Sequence, residues 1–186
     1  MIQEACRQLR RWRDAGHPLQ RIAVNLAPCQ SMDENLLAVI RDALDDAGLD
    51  YPDLEIEITE RQMVEHLPLA TQTLDELTGL GVRVAVDDFG TGYSSLAYLA
   101  QLPLIKIDRA FLQHCDRDGK TARVVPAIVA VARELGLKVV AEGIEQPEQE
   151  PCLQALGCRL GQGFGFSRPV AADAFCDLLA RDPSTP

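Results

Sequence analysis

Apolar residues recur at helical spacing in seven stretches of the chain: Ile2 to Ala15, Glu34 to Ala47, Leu69 to Leu77, Ser94 to Leu99, Arg123 to Leu135, Glu148 to Leu156 and Ala172 to Leu179. A repeat of three to four residues gathers these side chains on one face, which predicts helices packed on a core. Between them lie shorter runs rich in Val, Ile and Leu: Ile22 to Leu26, Leu54 to Thr59, Val82 to Asp87, Leu104 to Asp108, Leu137 to Ala141 and a weaker one from Arg159 to Gly163. Their length is that of strands, and Gly16, Gly48, Gly81 and Gly136 stand where the preceding helices must turn into them.

Strands alternating with helices predict an α/β fold with a mostly parallel sheet. The units number six, short of the eight that close a (β/α)8 barrel. No linker, repeat or low-complexity stretch divides the chain, so residues 1–180 read as one domain followed by a loose polar tail, 181–186.

The 186 residues are 47% hydrophobic and 25% charged, enough for a folded core. Eighteen basic against 28 acidic residues leave a net charge of −10, which excludes a protein that binds nucleic-acid polymers by neutralising phosphates. An anionic substrate would need cations beside it. No apolar run reaches the roughly 18 residues of a membrane span and the N-terminus is charged and amphipathic, so the expected location is the cytoplasm. The six cysteines form no CxxC pair; Cys6, Cys152 and Cys176 lie among apolar helical neighbours and are expected to be buried thiols. Arg7, Arg10, Arg11 and Arg13 read as a solvated helix face, and His17, His66 and His114 as surface residues.

Candidate chemistry lies at the ends of the strands. Asn25, Glu57, Asp87 with Asp88, Lys106 with Asp108, Glu142 and Gln162 each fall in or just after the C-terminal half of a predicted strand. In parallel α/β barrels those ends converge on one mouth, so the six strands describe one composite site. Five carboxylates held together there require protons or cations, and hard oxygen donors suit Mg²⁺ or Mn²⁺. The adjacent Asp87 and Asp88 suggest two bridged ions and hydrolysis of a phosphoester. Taken singly, the features have plainer readings: a strand-to-turn junction for the Asp pair, a structural Lys106 and Asp108 ion pair, outward Glu57 and Glu60 on an edge strand, and a turn amide for Asn25.

Six segments then occur in a fixed order: VNLAP from Val24, EITE from Glu57, DDFGTGYSSL from Asp87, KIDR from Lys106, AEGIE from Ala141 and QGFGFSRP from Gln162. In these the chain resembles the EAL-domain cyclic di-GMP phosphodiesterases. The resemblance implies a modified TIM-type (β/α)8 barrel that opens cyclic di-GMP to linear pGpG by attack of a metal-activated water. It further implies Asn25, Glu57 and Asp87 as ligands of a first metal, and Asp87, Asp88 and Glu142 around a second. Lys106 would contact the attacking water or phosphate, Asp108 and Gln162 match further active-site positions, and Glu145 supports the site from just behind. Glu60 would anchor the loop Phe89 to Ser95, which Gly90 and Gly92 make flexible enough to fold and which the family couples to a dimer interface. Linked sensory or diguanylate-cyclase domains are the partners this family implies.

The chain departs from the family at four places. The Glu-Ala-Leu tripeptide, whose glutamate is a ligand of the first metal, is absent. Against the roughly 250 residues of a full barrel, the expected fold is therefore a barrel lacking about its first two strands, with exposed sheet edges. The approach from Leu102 to Lys106 is about two residues short of the family's usual spacing, where a misplacement of about 1 Å can cost on the order of 100-fold in rate. Arg159 and Gly165 also replace the family's usual residues. These departures predict low or absent turnover for the chain as it stands, and the alternative is a catalytically inactive cyclic di-GMP-binding or protein-interaction module. A different metal-dependent barrel lyase fits the carboxylates but not the ordered segments.

Overall fold

The computed structural model describes residues 1–27, 35–65, 67–90, 103–112 and 123–181. The expected helix Ser94 to Leu99, Gly92, Cys29, Cys115, His66, His114 and the tail after Arg181 lie outside these residues.

Among the described residues the elements run α1 (Ile2–Asp14), β1 (Ile22–Asn25), α2 (Leu36–Ala47), β2 (Leu54–Thr59), α3 (Glu60–Glu65), α4 (Leu67–Leu80), β3 (Arg83–Phe89), β4 (Leu104–Ile107), α5 (Arg109–Leu112), α6 (Val124–Glu134), β5 (Lys138–Glu142), α7 (Gln149–Ala155), β6 (Leu160–Gln162) and α8 (Ala172–Arg181). The strands follow chain order, and the pairs β1–β2, β3–β4, β4–β5 and β5–β6 are parallel. This is the α/β class that the alternation predicts. Helices α3 and α5 escape a periodicity reading because six and four residues are too few to show a 3.6-residue repeat.

The chain divides into two compact units, one of Met1–Glu57, Pro68–Arg83 and Pro169–Pro186, the other of Ile58–Leu67 and Val84–Arg168. In the first, α1 buries Ile2, Cys6 and Leu9, spaced four and three apart, against α2, which buries Leu36, Ile40, Ala43 and Leu44. Gly48 ends α2 at φ 61°, and its left-handed turn lets the N–H of Leu49 reach back to the carbonyl of Leu44 at 3.0 Å. Trp12 ties α8 to α1, donating to the carbonyl of Ala172 at 3.3 Å and packing on Phe175 with ring centroids 5.0 Å apart.

One sequence expectation needs correction in this unit, and one of the plainer readings falls away. Arg7, Arg10 and Arg11 are solvated, but Arg13 continues the 2, 6, 9 stripe by four and turns inward. It donates to both carboxylate oxygens of Asp53, at 3.0 and 2.8 Å, and to the carbonyls of Leu19 and Gln20. This guanidinium holds the Asp53 carboxyl below its usual range, against the opposing effect of burial. Strand β2 is buried along almost its whole length, Glu55 and Glu57 included, so the outward-facing edge strand is excluded. Arg21 offsets part of that burial, 3.4 Å from Glu55.

In the second unit β4 and β5 pack against α5 and α6 around Ile107, Leu112, Val125, Val129 and Ala141. The turn from β2 into α3 is a reciprocal cap. Thr59 N–H donates to Gln62 Oε1 at 2.7 Å, and Gln62 N–H points back at Thr59 Oγ1 at 3.4 Å. Cys158 is buried here, its single S–H within reach of the carbonyls of Leu160 at 3.4 Å and Val139 at 3.7 Å. Cys6 is buried as expected, whereas Cys152 and Cys176 are only half-buried. Among the described residues β6 is the last strand of the sheet, and Leu160, Phe164 and Phe166 around it are 47%, 52% and 56% exposed.

Candidate functional site

On a regular strand, neighbouring side chains point to opposite faces, so an Asp-Asp pair should not converge. Here the register breaks. Ala85 pairs with Leu104 and Val86 with Ile105, but the next pair is Phe89 with Ile107, leaving Asp87 and Asp88 opposite Lys106 alone. This bulge carries Asp88 into the left-handed region at φ 54°, a conformation that Asp tolerates better than most residues. Oxygens of Asp87, Asp88 and Glu142 consequently lie within 4.8 Å of one another. The strand thus continues to Phe89, past the end at Asp87 that its pattern predicts.

Lys106, 4% exposed, projects into this cluster from β4. Its Nζ lies 2.6 Å from Glu142 Oε1 and 3.4 Å from Asp87 Oδ1. The short approach to β4 therefore still delivers the ammonium to the carboxylates. Three carboxylates against one ammonium leave excess negative charge in a half-buried place. Burial, opposed by Lys106 and reinforced by Asp87, raises the Glu142 pKa to about 7. Burial also raises Asp88, with Asp87 and a hydrogen bond to Asp108 adding to it.

A raised carboxyl pKa has a defined consequence for stability. Between the ordinary Glu value of 4.5 and about 7, folded Glu142 keeps a proton that the unfolded chain has lost. Stability contributed by this group is thus complete below that window and falls as pH rises through it. Thermal unfolding of the metal-free protein should show this decline, and Mn²⁺, which competes for the same oxygens, should flatten it.

Next to the cluster opens a cavity of about 250 Å³ lined by Asp88, Asp108, Arg109, Glu142, Glu145 and Gln162, together with Gly143, Gly163 and Phe164. Asp108 also caps α5, accepting from the N–H of Ala110 at 2.7 Å. Arg109 and Phe164 escape the sequence reading, though each lies within two residues of an expected site position. Glu60, 1% exposed, accepts the N–H of Gly90 at 2.9 Å. Gly90 is itself required at φ 103°, where a Cβ would press on the Phe111 ring at 2.7 Å. In the first unit Asn25 and Glu57 are register partners at the ends of β1 and β2, Asn25 exposed and Glu57 buried.

The EAL domain family matches residues 1–169. The chain is 43% identical over 182 residues to the bifunctional diguanylate cyclase/cyclic di-GMP phosphodiesterase MucR of Pseudomonas aeruginosa, covering 97% of this chain and 27% of that protein. It spans between 21% and 27% of the length of the curated relatives it matches. The solved structure of the PaMucR phosphodiesterase in complex with c-di-GMP superposes with a TM-score of 0.88 at 43% identity, over 94% of this chain and 71% of that one. The manganese and cy-diGMP complex of Klebsiella pneumoniae BlrP1 at pH 9.0 gives 0.81 at 31% identity, over 92% and 44%. Solved EAL structures have a TIM-like barrel, and the parallel α/β fold described above matches them. From the fold, the ordered segments and these likenesses together, the chain belongs to the EAL domain family, whose characterised relatives are cyclic di-GMP phosphodiesterases.

Proposed function

We propose that this chain carries a divalent-metal-dependent phosphodiesterase site that opens cyclic di-GMP to linear pGpG. The observation that carries this reading is the convergence of Asp87, Asp88 and Glu142 on one point beside a cavity, with Lys106 among them. The donors are hard oxygens in excess of the nearby positive charge, which fits Mg²⁺ or Mn²⁺. In this reading Asp87, Asp88 and Glu142 are metal ligands, and the family resemblance implies the same role for Asn25 and Glu57. Bound divalent ions supply Lewis-acid polarisation of the phosphate and activation of water.

The chain's own residues do the remainder. Lys106 places a desolvated positive charge where negative charge develops on the phosphoryl oxygens. Asp108 and Glu145 are the carboxylates of the cavity available for proton transfer to and from water and the leaving oxygen. Gln162 offers an amide to substrate oxygens, and Glu60 fixes the start of the Gly90 loop. Such a unit acts as one domain of a longer cytoplasmic signalling protein, working as a homodimer.

The test is a product assay of the purified chain with cyclic di-GMP in Mn²⁺, in Mg²⁺ and after chelation. Slow formation of linear pGpG with metal, stopped by chelator, is the expected result, in keeping with the low turnover that the missing glutamate predicts. Folded protein that binds the dinucleotide yet yields no product in either metal overturns hydrolysis in favour of a silent receptor module.

A further inference from the structure

The turn after β5 carries Glu142 and Glu145 on either side of Gly143 and Ile144. Ile144 is fixed from one side: its N–H donates to the carbonyl of Gln162 at 3.1 Å, and its carbonyl accepts from Gly165 at 2.7 Å. The next two residues are fixed from the other side by a single side chain. The N–H groups of Glu145 and Gln146 both donate to Gln149 Oε1, each at 2.8 Å. The Nε2 of Gln149 then donates to the carbonyl of Leu112 at 3.2 Å, at the end of α5. Helix α5 is the element that Asp108 caps and Arg109 opens, and both line the cavity that Glu145 faces.

We infer that Gln149 is a positioning residue of the site, holding Glu145 toward the cavity and in fixed relation to Asp108. The inference rests on the phosphodiesterase reading given above. An amide is suited to this place: its oxygen has two lone pairs for the two converging N–H groups, and its NH₂ serves the carbonyl on the opposite side. Half of the arrangement is a local cap on the turn that enters α7, since Gln149 opens that helix and accepts from N–H groups three and four residues before it. Capping alone accounts for neither the bond across to Leu112 nor the tethering of a cavity carboxylate, so the two roles are separable by experiment.

The experiment uses Gln149→Ala and Gln149→Glu, each alone and combined with Glu145→Gln. Glutamate keeps both accepted bonds and loses only the donation to Leu112. Gln149→Ala should speed amide exchange at Glu145 and Gln146, and lower kcat for cyclic di-GMP by about tenfold or more while KM moves by less than about threefold. Gln149→Glu should recover only part of that loss, because the tie to Leu112 stays broken. In the Glu145→Gln background, Gln149→Ala should add almost nothing. An equal loss in that background, or unchanged kcat despite faster exchange, would reduce Gln149 to a cap and overturn the inference. If the parent chain yields no product, the phosphodiesterase reading fails by itself. The same cycle read in the calorimetric dissociation constant for cyclic di-GMP then decides, independence of the two changes overturning the positioning role and coupling upholding it.

Discussion

Lys106→Met is expected to lower cyclic di-GMP turnover by about a hundredfold to a thousandfold, the range for removing a preorganised charge from a reacting centre. Its effect on the fold should depend on pH and on metal. The ammonium lies between Asp87 and Glu142, and removing one partner of a buried ion pair costs about 3–5 kcal/mol when the charges left behind stay ionised. At pH 8 that corresponds to a fall of about 10 °C in the thermal midpoint for a chain of this size. At pH 5 the fall should be much smaller: Glu142, already raised to about 7 with Lys106 present, loses the partner that holds it down and stays protonated. Mn²⁺ supplies the missing positive charge and should restore the midpoint at pH 8 without restoring turnover. Thermal scans at both pH values, with and without Mn²⁺, separate these effects. Turnover that survives while stability falls would make Lys106 a counter-ion only.

The same neighbourhood shows what a sequence can and cannot display. Strand identity and order were legible because buried parallel strands are short Val- and Ile-rich runs and helices repeat every 3.6 residues. The cluster Asp87, Asp88 and Glu142 was legible as strand-end carboxylates, but its mechanism was not. Two adjacent aspartates converge only because β3 bulges opposite Lys106, and a bulge is a mismatch between two strands that neither strand's own pattern reveals. Lys106 was readable as a site residue, but its partners Glu142 and Asp87 come from β5 and β3, whose register with β4 is set by tertiary packing. Arg13 was misread for the opposite reason. Its place in the 2, 6, 9, 13 stripe is visible, but its charge and its three arginine neighbours argue for solvent, and only the fold shows Asp53 beneath it. Arg109 shares its cavity with Glu145 and Gln162, and Gln149 reaches the carbonyl of Leu112 from 37 residues away, neighbours that only the folded chain shows.

Gly163→Val should unfold the cavity end of β5 and β6. A Cβ built at Gly163 falls inside contact distance of the backbone N, C and O of Ile144, atoms that cannot swing aside as a side-chain tip could. Those atoms already donate to Gln162 and accept from Gly165, so making room means breaking the bonds that hold Ile144 and, beyond it, Glu145. Overpacking of a flexible core commonly costs about 1–3 kcal/mol; against rigid backbone the cost should exceed about 4 kcal/mol. The thermal midpoint should fall by more than about 10 °C, and cyclic di-GMP binding should be lost along with Gln162 and Glu145. Gly79→Ala is the matched comparison. Gly79 lies in α4 with nothing within 4 Å of a built Cβ, so alanine there only favours the helix, and a gain of about 0.5–1 kcal/mol is expected. Opposite signs at these two glycines would show that close backbone approach, rather than glycine content, shapes this end of the sheet. A Gly163→Val protein that melts like the parent and still binds the dinucleotide would mean that Ile144 and Gly163 are not packed as tightly as described.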